Sequence, residues 1–141
     1  MPAVSFVAAD VGVDSQVASA TYISVVQVGE AVSHGQVGYQ DGTNKKYYKA
    51  DSNGAAATNA AASVFFLSAA SADGYALVAK TGAKVKAGVV FTKGQLYCVG
   101  STAGAVVPFS DLTTGDYVTI VGVADSTSTI PLNFLATGVQ K

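Results

Sequence analysis

The sequence predicts an all-β domain, a small barrel or sandwich of many short strands, with an extended N-terminal arm and one short helix. Three observations carry that expectation. Runs rich in Val, Ile, Tyr, Phe and Thr recur along the chain, each only three to eight residues long. Gly, Asp, Asn and Ser clusters separate them at intervals of roughly 8–12 residues, as in sandwiches and barrels. No long segment alternates with them at helical period, which argues against a βαβ protein.

Taken in order, residues 1–20 read as the arm. They mix Ala, Val, Ser and Asp without a firm period, and Val4, Phe6, Val11 and Val13 are the apolar anchors. Such a segment either orders on a neighbour or forms a first strand. Residues 21–141 form the β-rich domain. TYISVVQV at 21–28 is a strand. Glycines 29, 35, 38 and 42 cut the next stretch into short pieces, and the Asp41–Gly42 step signals a hairpin with a return strand at 45–50. The run NGAAATNAAAS predicts a short helix over 55–62 capped by Asn53. Strands follow at 64–67, 75–79, 84–86 and 89–92.

Residues 94–133 hold four more strand-like runs. LYCV at 96–99 turns through GSTAG into a return strand at 105–108, where Pro108 cannot donate to a ladder and marks an end or an edge. YVTIVGV at 117–123 is apolar on both faces and belongs at the centre of a sheet. A polar turn then leads into 130–135. The two halves also echo each other: Gly35–Gln36 and Gly94–Gln95 each introduce a hydrophobe and a tyrosine.

Composition narrows the function. The 141 residues are 50% hydrophobic but only 12% charged, with net charge −1 and no arginine. A charge content near half the usual ~25% suits packing against neighbours. Neither a basic field nor the usual bidentate reader of phosphates and bases is present, so direct nucleic-acid binding is not expected. No run reaches the ~18 apolar residues of a membrane span. The opening residues lack a basic segment followed by an apolar core, which predicts synthesis in a cytosol. Cys98 is the only cysteine and sits in an apolar run, so it reads as a buried small hydrophobe.

No residue pattern calls for catalysis, a cofactor or a metal. His34 is the only histidine and has no neighbouring Cys or His, so it reads as a turn residue rather than a ligand or a general base. The aspartates mostly stand beside Gly, Ser, Thr or Asn, the signature of turn chemistry. Lys45, Lys46 and Lys49 form a basic cluster; in strand geometry Lys45 and Lys49 share one face and guard an edge. The tyrosines, Tyr47 and Tyr48 among them, suit half-buried strand positions or a sugar-stacking platform.

The segments GQLY (94–97), GAVVP (104–108) and GDYVTIVGVADS (115–126), with GEAVSHGQVGYQDGTNKKYYKADSN before them, resemble the capsid decoration, or cement, proteins of tailed bacteriophages. The likeness spans residues 29–134 and rests on turns and small residues. It implies a non-enzymatic virion protein, assembled in a host cytoplasm, that binds the outside of a completed head. Such a protein touches the major capsid protein, favours a homotrimer and stabilises the shell by bridging capsomers. Under that reading Lys45, Lys46 and Lys49, with Val4, Phe6, Val11 and Val13 of the arm, are the candidate partner-binding residues. Related β-domains on phage tails and fibres supply the alternative, a carbohydrate- or protein-binding module.

Overall fold

The computed structural model describes residues 11–13, 22–87 and 90–141. The fold is all-β, and the described residues form twelve strands in three antiparallel sheets. No helix among the described residues exceeds a single 3₁₀ turn.

The largest sheet comprises β2 (Ile23–Gln27), β3 (Val37–Gln40), β4 (Tyr47–Lys49), β5 (Val64–Phe66) and β6 (Tyr75–Ala79), in the order β2-β6-β5-β3-β4. It curls until its edges meet. Val28, one residue beyond β2, bridges Tyr47 of β4 in parallel sense, and the Gly29 N–H donates to the Tyr47 carbonyl at 2.9 Å. Four successive antiparallel pairings leave β2 and β4 running the same way, so the closing contact has to be parallel. Because side chains alternate, a barrel strand can serve two compartments, as β5 and β6 do. Val28, Val64, Phe66, Ala76 and Val78 fill the interior, with Val26 and Tyr47 packed against them. Val37, Phe65 and Ala79 point outward into the main core.

That main core lies between the barrel and a four-stranded sheet. This sheet contains β8 (Leu96–Val99), β9 (Val106–Pro108), β10 (Tyr117–Val123) and β12 (Leu135–Gln140), ordered β12-β10-β8-β9. Its inner face contributes Tyr97, Val99, Val106 and Val121. The Tyr97 ring meets Phe91 edge-on at 4.9 Å, a favoured aromatic geometry. A third sheet, β1-β7-β11, joins β1 (Val11–Val13), β7 (Lys84–Ala87) and β11 (Thr129–Pro131). It adds Val85 and Ile130 to the same core.

One turn is used repeatedly to launch strands. Gln36 donates to Ser33 and Gln95 to Thr92 across four-residue turns whose third residues, Gly35 and Gly94, have φ of 80° and 82°. A type II turn requires that left-handed conformation at this position, and glycine adopts it without steric cost. The Gly-Gln echo is therefore turn chemistry ahead of β3 and ahead of β8. It extends to topology: β4-β3-β5-β6 and β9-β8-β10-β12 follow the same path, a hairpin whose first strand also pairs with the next strand in line.

Backbone hydrogen bonds seam the two units together. Gly104 N–H donates to Ala50 at 2.7 Å, and its carbonyl accepts from Val37 at 3.1 Å. Ser52 donates to Gly100 at 2.9 Å and accepts from Tyr117 at 2.8 Å. The segment leaving β4 thus serves as a short extra strand between barrel and sheet.

Several expectations are corrected. The helix over 55–62 is only a 3₁₀ turn at Ala57–Ala60, and Asn53 does not cap it. Asn59 does that from inside the turn, its Oδ1 accepting the Ala56 N–H at 3.1 Å. So short an alanine run cannot repay helix nucleation. The return strand begins at Tyr47 rather than 45, because Lys45 has φ of 64° in the hairpin turn. No strand forms at 90–92, where Phe91 is instead buried as a core plug; residues 88 and 89 lie outside the described residues. The strand expected over 130–135 is split between β11 and β12 in different sheets. Pro108 does end an edge strand, and β10 is central in its sheet.

Candidate partner-binding surface

The three lysines singled out from sequence do not form a common patch. Lys45 is exposed at the tip of the β3–β4 hairpin. Asp41 organises that tip: its Oδ1 accepts the N–H groups of Thr43 at 2.7 Å and Asn44 at 3.2 Å, an Asx-type turn. Lys46 Nζ pairs with Asp73 at 2.7 Å. The hydrogen bond and charge of Asp73 push the Lys46 ammonium above its ordinary pKa. Lys49 Nζ lies 3.7 Å from Glu30, whose other oxygen accepts the Lys49 N–H at 3.0 Å. The positive φ at Lys45 breaks the alternation that would have put it on the face of Lys49. Two of the three cations are tied to carboxylates within the chain, which leaves Lys45 as the outward charge of the cluster.

Of the arm residues, Val4 and Phe6 lie outside the described residues. Val11 and Val13 belong to β1, opposite Ala87 and Val85 of β7. Residues 11–13 are therefore part of the third sheet.

The tyrosines divide. Tyr47 packs into the barrel interior. Tyr48 lies against Gly29, its hydroxyl accepting from Asn44 at 2.9 Å. Tyr39 faces Tyr48 with ring centroids 6.1 Å apart, and its hydroxyl accepts from Asn59 at 3.0 Å. Tyr75 is different: it stands on β6 with 67% of its surface exposed.

Tyr75 belongs to a patch that the sequence reading missed. Val25 of β2 and Leu77 of β6 are direct cross-strand partners on the barrel exterior, 65% and 40% exposed. Tyr75, two residues before Leu77, continues the same face. The signal was present in ISVVQ and YALVA, which are apolar at both parities. Such strands need cover on two sides, and here the interior covers one parity only.

A second apolar strip crosses the outer face of the four-stranded sheet. Leu135, Ile120, Cys98 and Val107 share one row by register. Leu112 packs over the Cys98–Val107 end, whereas Leu135 at the other end and Val123 nearby remain exposed. Burial pushes the Cys98 thiol up to about 11, with Lys141 opposing weakly, so it is inert as a nucleophile at neutral pH.

His34 occupies the second position of the Ser33–Gln36 turn. Among the described residues, no group of three or more His, Cys, Asp or Glu side chains is placed to hold a metal ion. Asp116 is buried and serves its own turn, accepting the Thr113 N–H at 2.9 Å. Comparison with protein families, with curated proteins and with solved structures returned no match for this chain.

Proposed function

We propose that this chain is a structural, non-enzymatic virion protein that binds the outer surface of an assembled phage capsid and bridges neighbouring capsomers. The observation that carries the reading is the Val25–Leu77–Tyr75 patch, apolar side chains held outside a barrel whose interior is already filled. Exposed contiguous apolar surface of this kind marks contact sites. The motif resemblance of residues 29–134 supplies the partner, the major capsid protein, and favours a homotrimer. The mechanism needs no pocket. A rigid β-body presents an apolar patch, low charge permits close approach of like subunits, and a repeating lattice multiplies weak contacts into stable attachment.

The test is to measure the protein's mass in solution and then to mix it with undecorated heads. An oligomer that co-sediments with heads and prevents their disruption is expected, and Val25→Lys should weaken co-sedimentation while the fold persists. A stable monomer that never co-sediments would sink the proposal. The exposed ring of Tyr75 favours one alternative, a carbohydrate-contacting domain of a tail or fibre. Glycan-array binding that disappears in Tyr75→Ala, together with no binding to heads, would replace the first reading by the second.

A further inference from the structure

We infer that Asn53–Gly54 is a self-modification site at which ageing converts the asparagine to aspartate and isoaspartate and loosens the seam between barrel and sheet. Asn53 is the only asparagine followed by glycine; Asn44, Asn59 and Asn133 precede Lys, Ala and Phe. The reaction requires the following backbone nitrogen to attack the asparagine Cγ. A side chain on the following residue hinders that approach, and glycine has none. Asn53 is exposed and lies in the irregular segment between Ser52 and the 3₁₀ turn. The Gly54 N–H is only weakly engaged, with a 3.4 Å contact to the Asp51 carbonyl.

The chemistry is self-contained. The Gly54 nitrogen forms a bond to Asn53 Cγ, ammonia leaves, and a succinimide closes. Water then opens either carbonyl of the ring. One product is aspartate; the other is isoaspartate, in which the main chain runs through the former side chain and gains a methylene.

The surroundings explain why the labile pair persists and what its conversion does. A Cβ on Gly54 would lie 2.7 Å from Asn59 Cβ. Asn59 is itself fixed by its bonds to Ala56 and Tyr39. Glycine is therefore needed at 54 for packing. With its amide nitrogen turned toward acceptors, Asn53 donates to the Ser101 carbonyl at 3.3 Å and to the Asp51 carboxylate. Conversion replaces that donor by a carboxylate oxygen facing two acceptors. It does so one residue from Ser52, whose N–H and carbonyl hold Gly100 and Tyr117.

The test ages the full chain at mildly alkaline pH and maps the peptide 50–80, which carries both Asn53 and Asn59, by fragmentation and by isoaspartate-specific methylation. Modification confined to residue 53 is expected, accompanied by faster hydrogen exchange at the Ser52 and Tyr117 amides. Asn53→Ser, aged in parallel, should keep the exchange of fresh protein. Residue 53 remaining unmodified while another asparagine converts would overturn the site. Conversion at 53 with unchanged exchange at 52 and 117 would overturn its effect on the seam.

Discussion

The barrel and the four-stranded sheet are traced by the same path, yet one closes and the other stays open. Both begin with a glycine turn and a hairpin, and both place the next strand beside the hairpin's first strand. The barrel has one strand more, β2, and the residue after it reaches Tyr47. That single addition converts a sheet with two edges into a body with a filled interior. The four-stranded sheet has no such closing strand. Its β12 is exposed throughout, and among the described residues Leu112 packs over one end of its outer face. Edge treatment differs accordingly. β9 ends in Pro108, which has no N–H to offer, and β12 has a register shift against β10; prolines and bulges both discourage pairing with another chain. The comparison teaches that a shared topology does not fix exposure. Closure does.

The largest expected effect comes from breaking the closed unit. Phe66 is fully buried in the barrel interior, so Phe66→Ala should cost about 3–5 kcal/mol in chemical denaturation. Ile120, in the matching third strand of the open sheet, is only partly buried. Ile120→Ala should cost about 1 kcal/mol, because only part of its transfer term is lost. Equal losses at the two positions would contradict the claim that closure sets how much each unit buries. Next in size is Gly122→Ala. A Cβ there would clash with the Pro131 carbonyl oxygen, where β10 passes under β11. Backbone has to move, at about 1–3 kcal/mol. A denaturation midpoint like that of the unsubstituted chain would show that the crossing is looser than its geometry.

These contrasts also mark what was legible in the sequence. The strands at 75–79, 96–99 and 117–123 were readable to the residue, because turn residues bracket unbroken β-prone runs. Pro108 at an edge and Cys98 in a core were readable from what those residues can and cannot bond. The split of 130–135 was not. Nothing local distinguishes Ile130, which pairs with Val85, from Leu135, which pairs with Ile120 in another sheet. Barrel closure was hidden for the same reason, since the Val28–Tyr47 bridge joins residues far apart in sequence. The candidate surface fared worse. Charge drew attention to Lys46 and Lys49, whose partners Asp73 and Glu30 are distant in the chain. The exposure of Val25 depends on which face the interior covers.

A smaller stability effect, with a larger functional one, separates the two apolar surfaces. Val25→Ser on the barrel and Leu135→Ser on the open sheet should each stay within about 0.5 kcal/mol of the parent, since both side chains are already exposed. If the barrel patch is the contact, only the first should lose binding to heads. Loss confined to Leu135→Ser would move the interface to the open sheet, and loss in neither would remove both surfaces from consideration.

The smallest effect concerns the joint between the open sheet and the third sheet. Asp125 follows β10, pairs with Lys84 of β7 at 2.7 Å, and accepts the Thr129 hydroxyl at 2.5 Å. Partial burial pushes its carboxyl up, but the hydrogen bonds from Lys84 and Thr129 and the Lys84 charge outweigh it, and the net pKa is below the ordinary value. A carboxyl depressed by folding contributes stability that is fully present above its unfolded pKa, about 3.9 for aspartate. That contribution disappears as pH falls through the lower folded value. Because the pair is partly exposed, salt screens it and the gain is small. Asp125→Asn should therefore be slightly less stable than the parent at neutral pH. The gap should shrink below about pH 4, and it should shrink at neutral pH when salt is raised. Denaturation midpoints measured across that range decide the matter. A gap that persists unchanged to the acid end would mean that Asp125 acts through its hydrogen-bonding shape alone, and that its charge plays no part in holding the third sheet to the second.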